Sequence, residues 1–513
     1  MDSQTPRRIV ILGGGTAGWM LAAALTRVMK AQYATVRLIE SGDIGIVGVG
    51  ESTLPQVRDF NQFLGLDEVE FMRETNATFK LAIEFQDWAR KGDRYFHPFG
   101  AHGHAIQGVP FFQCWLRAVH HGHDLDIGDY CYPIVASREQ KFDFPSGDLK
   151  SIRSTYSYAY HFDAPLYAAY LRRWSEKRGV RRTEGTAVDV TLRADDGFIE
   201  SLTLASGEVV PGDLFIDCSG FRGVMINQAL KMGWEDWSPW LPNDRAWAVS
   251  SNLDDDFTPT TRCTAREAGW QWRIPLQNRN GSGYVFSSRF TTEERASQVL
   301  LENLGEAAQG DPRLIKFQSG RRQKSWYKNC IAMGLASGFL EPLESTSIYL
   351  SQIAVSFLMN LLPGKSIDPK LVAEYNRLVD IEYARVRDFL ILHYHATEPK
   401  EGELWKHVQN MDVPDSLNEK MEIFRRRGHI HRYKDGLFSP ASWISVYAGQ
   451  RISPGAYDPQ ADNIDMDAML ASMAELRDRI AVNVAAMPNH RDFVRDYCFV
   501  PSASGPSRTS ANV

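Results

Sequence analysis

The sequence predicts an α/β fold that ends in a mainly helical subdomain, and three observations predict it. Near the N-terminus an apolar strand, a glycine turn, a helix-forming stretch and a second strand closing on an acid follow one another. Residues 199–217 place a hairpin ahead of a strand that ends in Asp-Cys-Ser-Gly. Beyond Gly364 the pattern turns helical, with a long stretch over 372–396 and another over 466–487.

The first unit is the most telling. Residues 8–12 are apolar, GGGTAG occupies 13–18, residues 19–30 favour helix, and 35–39 form a strand ending at Glu40. This is the order of a Rossmann-like dinucleotide site. The first glycine permits the tight turn, the second admits a pyrophosphate, and the helix N-terminus faces its charge. Gly13, Gly15, Thr16, Ala17 and Gly18 are therefore candidate cofactor contacts, and Glu40 is placed to accept from a ribose hydroxyl.

Residues 199–204 and 208–210 flank Ala205-Ser206-Gly207 as a hairpin, and 213–217 is the next strand. A hairpin before a second carboxylate–glycine element resembles FAD-binding flavoproteins of the monooxygenase type rather than a simple NAD domain. FAD is thus the expected dinucleotide, with Asp217 as a contact.

Bulk properties bound the rest. A chain of 513 residues fits two or more interleaved domains. The expected division is a FAD-binding and catalytic domain over 1–365, with substrate-binding insertions at about 55–160. A helical substrate-binding subdomain over 366–500 and a disordered tail over 501–513 complete it. Thirteen tryptophans suit a pocket for a flat organic molecule. A net charge of −6 supplies no field that gathers nucleic acid, and Arg321–Lys324 reads as a solvated face. Six scattered cysteines show no metal-binding spacing and argue for a reducing compartment. With no membrane-length apolar span and no signal peptide, the expectation is a cytoplasmic protein with no membrane, nucleic-acid or metal partner. The region between the two long helical stretches, with Pro440, Gly449, Pro454 and Gly455, reads as loop-rich.

Three further segments carry chemistry. In GFLEPLEST, residues 338–346, Ser345 or Thr346 can cap a helix running to about Leu362. The free N–H groups of that helix start would suit a small anion. In residues 78–88, Phe79, Leu81, Ile83 and Phe85 alternate with Lys80, Ala82, Glu84 and Gln86, so the pattern alone sends Lys80 to an exposed face. In GWQWRIP, residues 269–275, Trp270 and Trp272 share one face of an extended segment.

These motifs, with GGGTAG upstream, resemble the flavin-dependent tryptophan halogenase family. The resemblance implies Lys80 and Glu344 as catalytic residues, with Thr346 and Ser347 beside a halide. Ser347 stands where the family often has glycine. GVGEST, residues 48–53, resembles a flavin-contacting strap, which adds Gly48, Val49, Gly50 and Glu51 to the cofactor set together with Leu335. His97, Phe99, Trp443 and Pro342 become substrate contacts, and the tryptophan pair keeps substrate from the flavin.

By that resemblance a separate NADH-dependent flavin reductase supplies FADH2. Oxygen gives a flavin hydroperoxide, and chloride or bromide converts it to hypohalous acid. Lys80 and Glu344 then guide the oxidant to an electron-rich aromatic. The motifs run from residue 7 to roughly 450 and fade in the C-terminal fifth. There no equivalent of the family's amino-acid-binding lid is found between Phe424 and Tyr457. Indole or an indole derivative is therefore at least as plausible a substrate as tryptophan. A monomer or homodimer is expected. The rival readings are an FAD-dependent aromatic monooxygenase and a non-catalytic flavin-binding sensor.

Overall fold

A computed structural model describes residues 7–42, 50–364, 366–398, 401–431 and 436–499, and every count below refers to them. Gly48 and Val49 lie outside the described residues, as does the tail beyond residue 500.

The first layer is a six-stranded sheet ordered Trp326–Tyr327, Cys330–Ala332, Leu214–Asp217, Arg7–Leu12, Ala34–Glu40 and Arg181–Glu184. All neighbours are parallel except the edge pair Trp326–Tyr327 and Cys330–Ala332. Ile9, Val10 and Ile11 are at most 1% exposed, because both faces are covered: Ile9 and Ile11 share a core with helix residues Trp19–Leu25, and Val10 shares one with Ile199, Leu202, Leu204 and Val210. Helix Thr16–Val28 packs on it through Trp19–Leu25, all buried. The predicted hairpin is present as antiparallel Ile199–Leu204 and Val209–Pro211.

The second layer is a seven-stranded, mostly antiparallel sheet that contains Gly269–Pro275, Thr260–Arg266, Ala82–Gln86 and Arg94–Pro98. It meets a small sheet in which Ala159–Phe162 pairs with Glu51–Ser52 and Thr78–Lys80. The alternating segment thus does not form one strand. It ends in one sheet at Lys80 and re-enters another at Ala82, with Leu81 N–H donating to Pro259 O at 2.7 Å between them. Both faces of both pieces are covered, and Lys80 is 0% exposed. The expected exposed lysine is therefore corrected to a buried one. Glu84, on the nominally polar face, is buried against Arg94 and Arg262 at 2.8 and 3.0 Å.

Beyond residue 366 the described chain is helical, led by Pro369–His395 and Met466–Ala485. The expected loop-rich region is also corrected, since it carries helices Glu403–Asn410, Asp415–Arg427 and Pro440–Gly449. Two of its breakers sit at helix ends, Gly449 at the last position and Pro440 at the first, where its missing N–H costs nothing, whereas Pro454 and Gly455 lie in the loop that follows. Arg321–Lys324 is a solvated face only in part, since Gln323 and Lys324 are exposed and the two arginines are not. Arg321 pairs with Glu235 and Asp380, and Arg322 is buried with a bond to Asn227. No helix among the described residues is long and apolar enough to cross a membrane.

Candidate active site

Two regions face each other across the segment Pro342–Glu344. The first is a groove of about 630 Å³ along the C-terminal edge of the parallel sheet. Gly13, Gly15, Thr16, Ala17, Gly18, Glu40, Gly50, Glu51 and Leu335 all line it. The cradle admits only backbone. A Cβ on Gly18 would lie 2.0 Å from Gly13 O, and Gly13 itself has φ 117°. Helix Thr16–Val28 starts at Gly15 with no side-chain cap and no acid in its first turn, which leaves its N–H groups for a phosphate. Glu40 is tethered in the groove by Trp19 Nε1 at 3.1 Å and by Arg182 and Arg172. The Glu51 carboxyl reaches the groove partly covered, and desolvation pushes its pKa up to about 7.

Asp217 is the exception among the described cofactor candidates. It is fully buried outside the groove lining and accepts from Ser219, Met225 and Ile226 N–H at 3.0, 2.8 and 2.8 Å. Its role is to hold the turn whose residues Cys218–Phe221 do line the groove.

The opposite wall is Trp270, Trp272 and Ile274, all on one face of Gly269–Pro275. The two indole rings lie 6.2 Å apart. Gly283, across from Trp272 in register, makes room for it, since a Cβ there would meet the ring at 2.1 Å.

The second region is closed and rich in charge. Glu344 is 0% exposed, with Oε2 2.6 Å from His97 Nδ1 and Oε1 2.7 Å from His393 Nε2. The His97 contact is a hydrogen bond; His393 Nε2 approaches Oε1 off the ring N–H axis, and burial lowers the His393 pKa against the pull of Glu344. Burial works to raise the Glu344 pKa, but the two imidazoles outweigh it and hold the carboxyl at about 2. His393 is itself fixed by Tyr95 OH at Nδ1, 2.9 Å away, and Gln450 Nε2 donates to that hydroxyl at 3.2 Å.

Lys80 Nζ donates to Thr53 O at 2.9 Å and to Ser345 Oγ at 3.0 Å, and lies 4.9 Å from the Phe99 ring centre. Burial lowers its pKa to about 7, against the pull of Glu344 and Cys263. The Pro342–Glu344 turn therefore separates two faces: Pro342 looks into the groove and Glu344 into the chamber. Ser345 links them. It adopts φ 58°, ψ 33° and makes no capping bond, because its hydroxyl is committed to Lys80 and Ser52. The expected Ser345 or Thr346 cap is thus absent, and the helix runs Thr346–Asn360.

Ser347 lines the groove at that helix start, whereas Thr346 is fully buried with an unpartnered Oγ1. His97, Phe99 and Trp443 gather in the chamber, not the groove. His97 lies 6.5 Å from Phe99 and 5.5 Å from Phe389, which meets Trp443 at 5.0 Å and stacks on Phe438 at 3.8 Å.

Sequence reasoning missed His393, Phe389 and Phe438. The only available signal was a histidine four residues after Phe389 on the buried stripe of a long helix, a spacing that puts both on one face.

The tryptophan halogenase family model matches residues 8–466. The chain is 44% identical in sequence to a flavin-dependent halogenase structure from Xanthomonas campestris, with a TM-score of 0.93 over 97% of this chain and 99% of that one. A second structure, BrvH of Brevundimonas sp. BAL3, is 41% identical with a TM-score of 0.92 over 97% and 100%. Tryptophan 6-halogenase SttH of Streptomyces toxytricini is 36% identical over 96% of this chain and 98% of its own. The likeness thus runs past residue 450, further than the motifs alone carried it. The chain belongs to the tryptophan halogenase family and is a flavin-dependent halogenase.

Proposed function

We propose that this family member installs chlorine or bromine on an electron-rich, indole-bearing small molecule. The observation that carries the reading is Lys80 and Glu344 buried together behind the groove and joined to its floor through Ser345. The groove fits FAD: Gly13, Gly15–Gly18 and Glu40 suit its pyrophosphate and ribose, and Gly50, Glu51 and Leu335 line its further reach. Reduced FAD, delivered by a separate NADH-dependent reductase, supplies hypohalous acid from oxygen and halide when bound. Ser347 and the N–H groups of its helix offer the halide a seat on the groove side.

The remaining work falls to the chain. Trp270, Trp272 and Ile274 wall the aromatic substrate away from the groove. Lys80, with a pKa near 7, is available at neutral pH both as a hydrogen-bond donor and as an amine that can carry the halogen. The aromatic cluster around His97, Phe99, Phe389 and Trp443 offers flat surfaces that orient one ring carbon toward Nζ. Glu344, kept ionised by His97 and His393, accepts the proton that the halogenated ring must lose.

Mass spectrometry of indole and of tryptophan, each incubated with FAD, NADH, a flavin reductase, oxygen and either halide, tests the reading. A halogen adduct that is absent in Lys80→Ala is expected, with indole converted at least as well as tryptophan. An oxygen adduct would instead mark a monooxygenase, and strong preference for tryptophan would overturn the indole assignment.

A further inference from the structure

A continuous line of hydrogen bonds runs from Lys80 across the groove floor to the end of the Trp-Gln-Trp strand. Its direction is forced at both ends. Pro275 O can only accept, and Thr78 Oγ1 donates to it at 2.7 Å. Thr78 Oγ1 therefore accepts from His161 Nδ1, 3.1 Å away. That places the proton of a neutral imidazole on Nδ1 and leaves Nε2 as an acceptor for the Thr261 hydroxyl at 3.0 Å. Thr261 accepts from Ser52, Ser52 accepts from Ser345 at 2.9 Å, and Ser345 accepts from Lys80 at 3.0 Å.

Every member is buried, His161 and Lys80 completely, while Ser52, Thr261 and Ser345 form part of the groove floor. Both ends are shut off from solvent. Burial holds His161 neutral, and the like charges of Lys80, His490 and Arg273 reinforce it. Glu344 and Cys263 are the groups facing Lys80. Lys80 is therefore the protonated end of the line and His161 the unprotonated one, and the part of the penalty on His161 that comes from Lys80 disappears once Lys80 gives up its proton.

We propose that this line removes the proton Lys80 must shed before it can carry halogen, with His161 as the terminal acceptor acting through three hydroxyls. The inference rests on the halogenase reading and takes hypohalous acid as the reactant. A Lys80 N–H bond breaks and its electron pair stays on nitrogen. Ser345, Ser52 and Thr261 each pass one proton on, and His161 Nε2 gains it. The free amine then attacks the halogen: an N–halogen bond forms, the halogen–oxygen bond breaks, and the departing hydroxide takes one amine proton to leave as water. His161 returns its proton along the reversed line once the halogen has reached the ring. His161 is thus a positioning residue for Lys80 and touches neither substrate nor cofactor.

The test uses the FAD-loaded enzyme with His161→Gln and Thr261→Val. Glutamine keeps an acceptor and a donor for the two threonines yet takes up no proton, and valine breaks the line at constant shape. Wild-type product formation is expected to rise with pH through about 7. In both variants, product at neutral pH should fall about tenfold or more, and the pH midpoint should move up by about one unit. In His161→Gln, which lies outside the groove lining, hypohalous acid captured by an added scavenger should stay near the wild-type level. An unchanged pH midpoint in either variant overturns the proposal, as does a parallel loss of hypohalous acid and product in His161→Gln. If glutamine at 161 prevents folding, the Thr261 variant decides alone. Halogenation by wild type with unmoved variants sinks only this inference, whereas no halogenation by wild type sinks the halogenase reading and this inference with it.

Discussion

The groove and the chamber behind it are built on opposite principles. The groove owes its shape to what is missing: glycines at 13, 15 and 18, an uncapped helix start and backbone that approaches closely. The chamber owes its chemistry to what is crowded in, an ammonium, a carboxylate and two imidazoles with almost no access to water. A groove of backbone donors tolerates a large, exchangeable guest. A sealed cluster of charges holds its protonation states far from their solution values, because each charge has only its neighbours to solvate it. The difference teaches that the two halves can be broken separately.

The largest effect is expected in the chamber. Lys80→Ala should cut halogenated product by roughly 10³-fold or more while FAD affinity, read by fluorescence quenching, stays unchanged. Loss of FAD binding in that variant would mean that the two regions are one. Glu344→Gln comes next, with kcat for halogenation down by roughly 10²-fold and KM for the aromatic nearly unaltered. A rise in KM alone would show that the carboxylate binds substrate instead.

The converse break is Gly18→Ala, whose Cβ would press on Gly13 O at 2.0 Å. FAD affinity should fall about tenfold or more, while thermal unfolding in the absence of flavin shifts by only a few degrees. A variant that binds FAD normally would refute the close-approach argument.

The smallest effect is on stability against pH. The Glu344 carboxyl is held at about 2, below its ordinary 4.5, so the ionised form favours the folded state. That contribution is complete above pH 4.5 and is lost as pH falls toward 2, an amount on the order of 3 kcal/mol. Urea unfolding between those limits should be flatter in Glu344→Gln than in wild type.

Legibility in the sequence followed the same divide. The strand–glycine–helix–strand–acid order depends on local backbone geometry, so Gly13–Gly18 and Glu40 were readable, and the hairpin at 199–211 with them. Asp217 was read as a contact because it ends a strand beside glycine, and only its bonds to Ser219, Met225 and Ile226 show it turned inward. Lys80 was legible through motif likeness alone. Alternation sent it to solvent, because a period of two cannot tell a covered polar face from an exposed one.

By itself the sequence determined the dinucleotide cradle, the tryptophan wall and the helix after Glu344, since each is written in contiguous residues with a fixed period. Tertiary structure alone decided that His97 from a strand and His393 from a helix clamp Glu344, and that Ser52, Thr261 and His161 continue the bond from Ser345. Those partners lie 49 to 293 positions apart where they bond across elements, from His393 and Glu344 at 49 to Ser345 and Ser52 at 293.

 Such pairings leave no local period in the chain. They are set when the two sheets and the long helix pack together and expel water, which is also why each buried charge ended beside a partner.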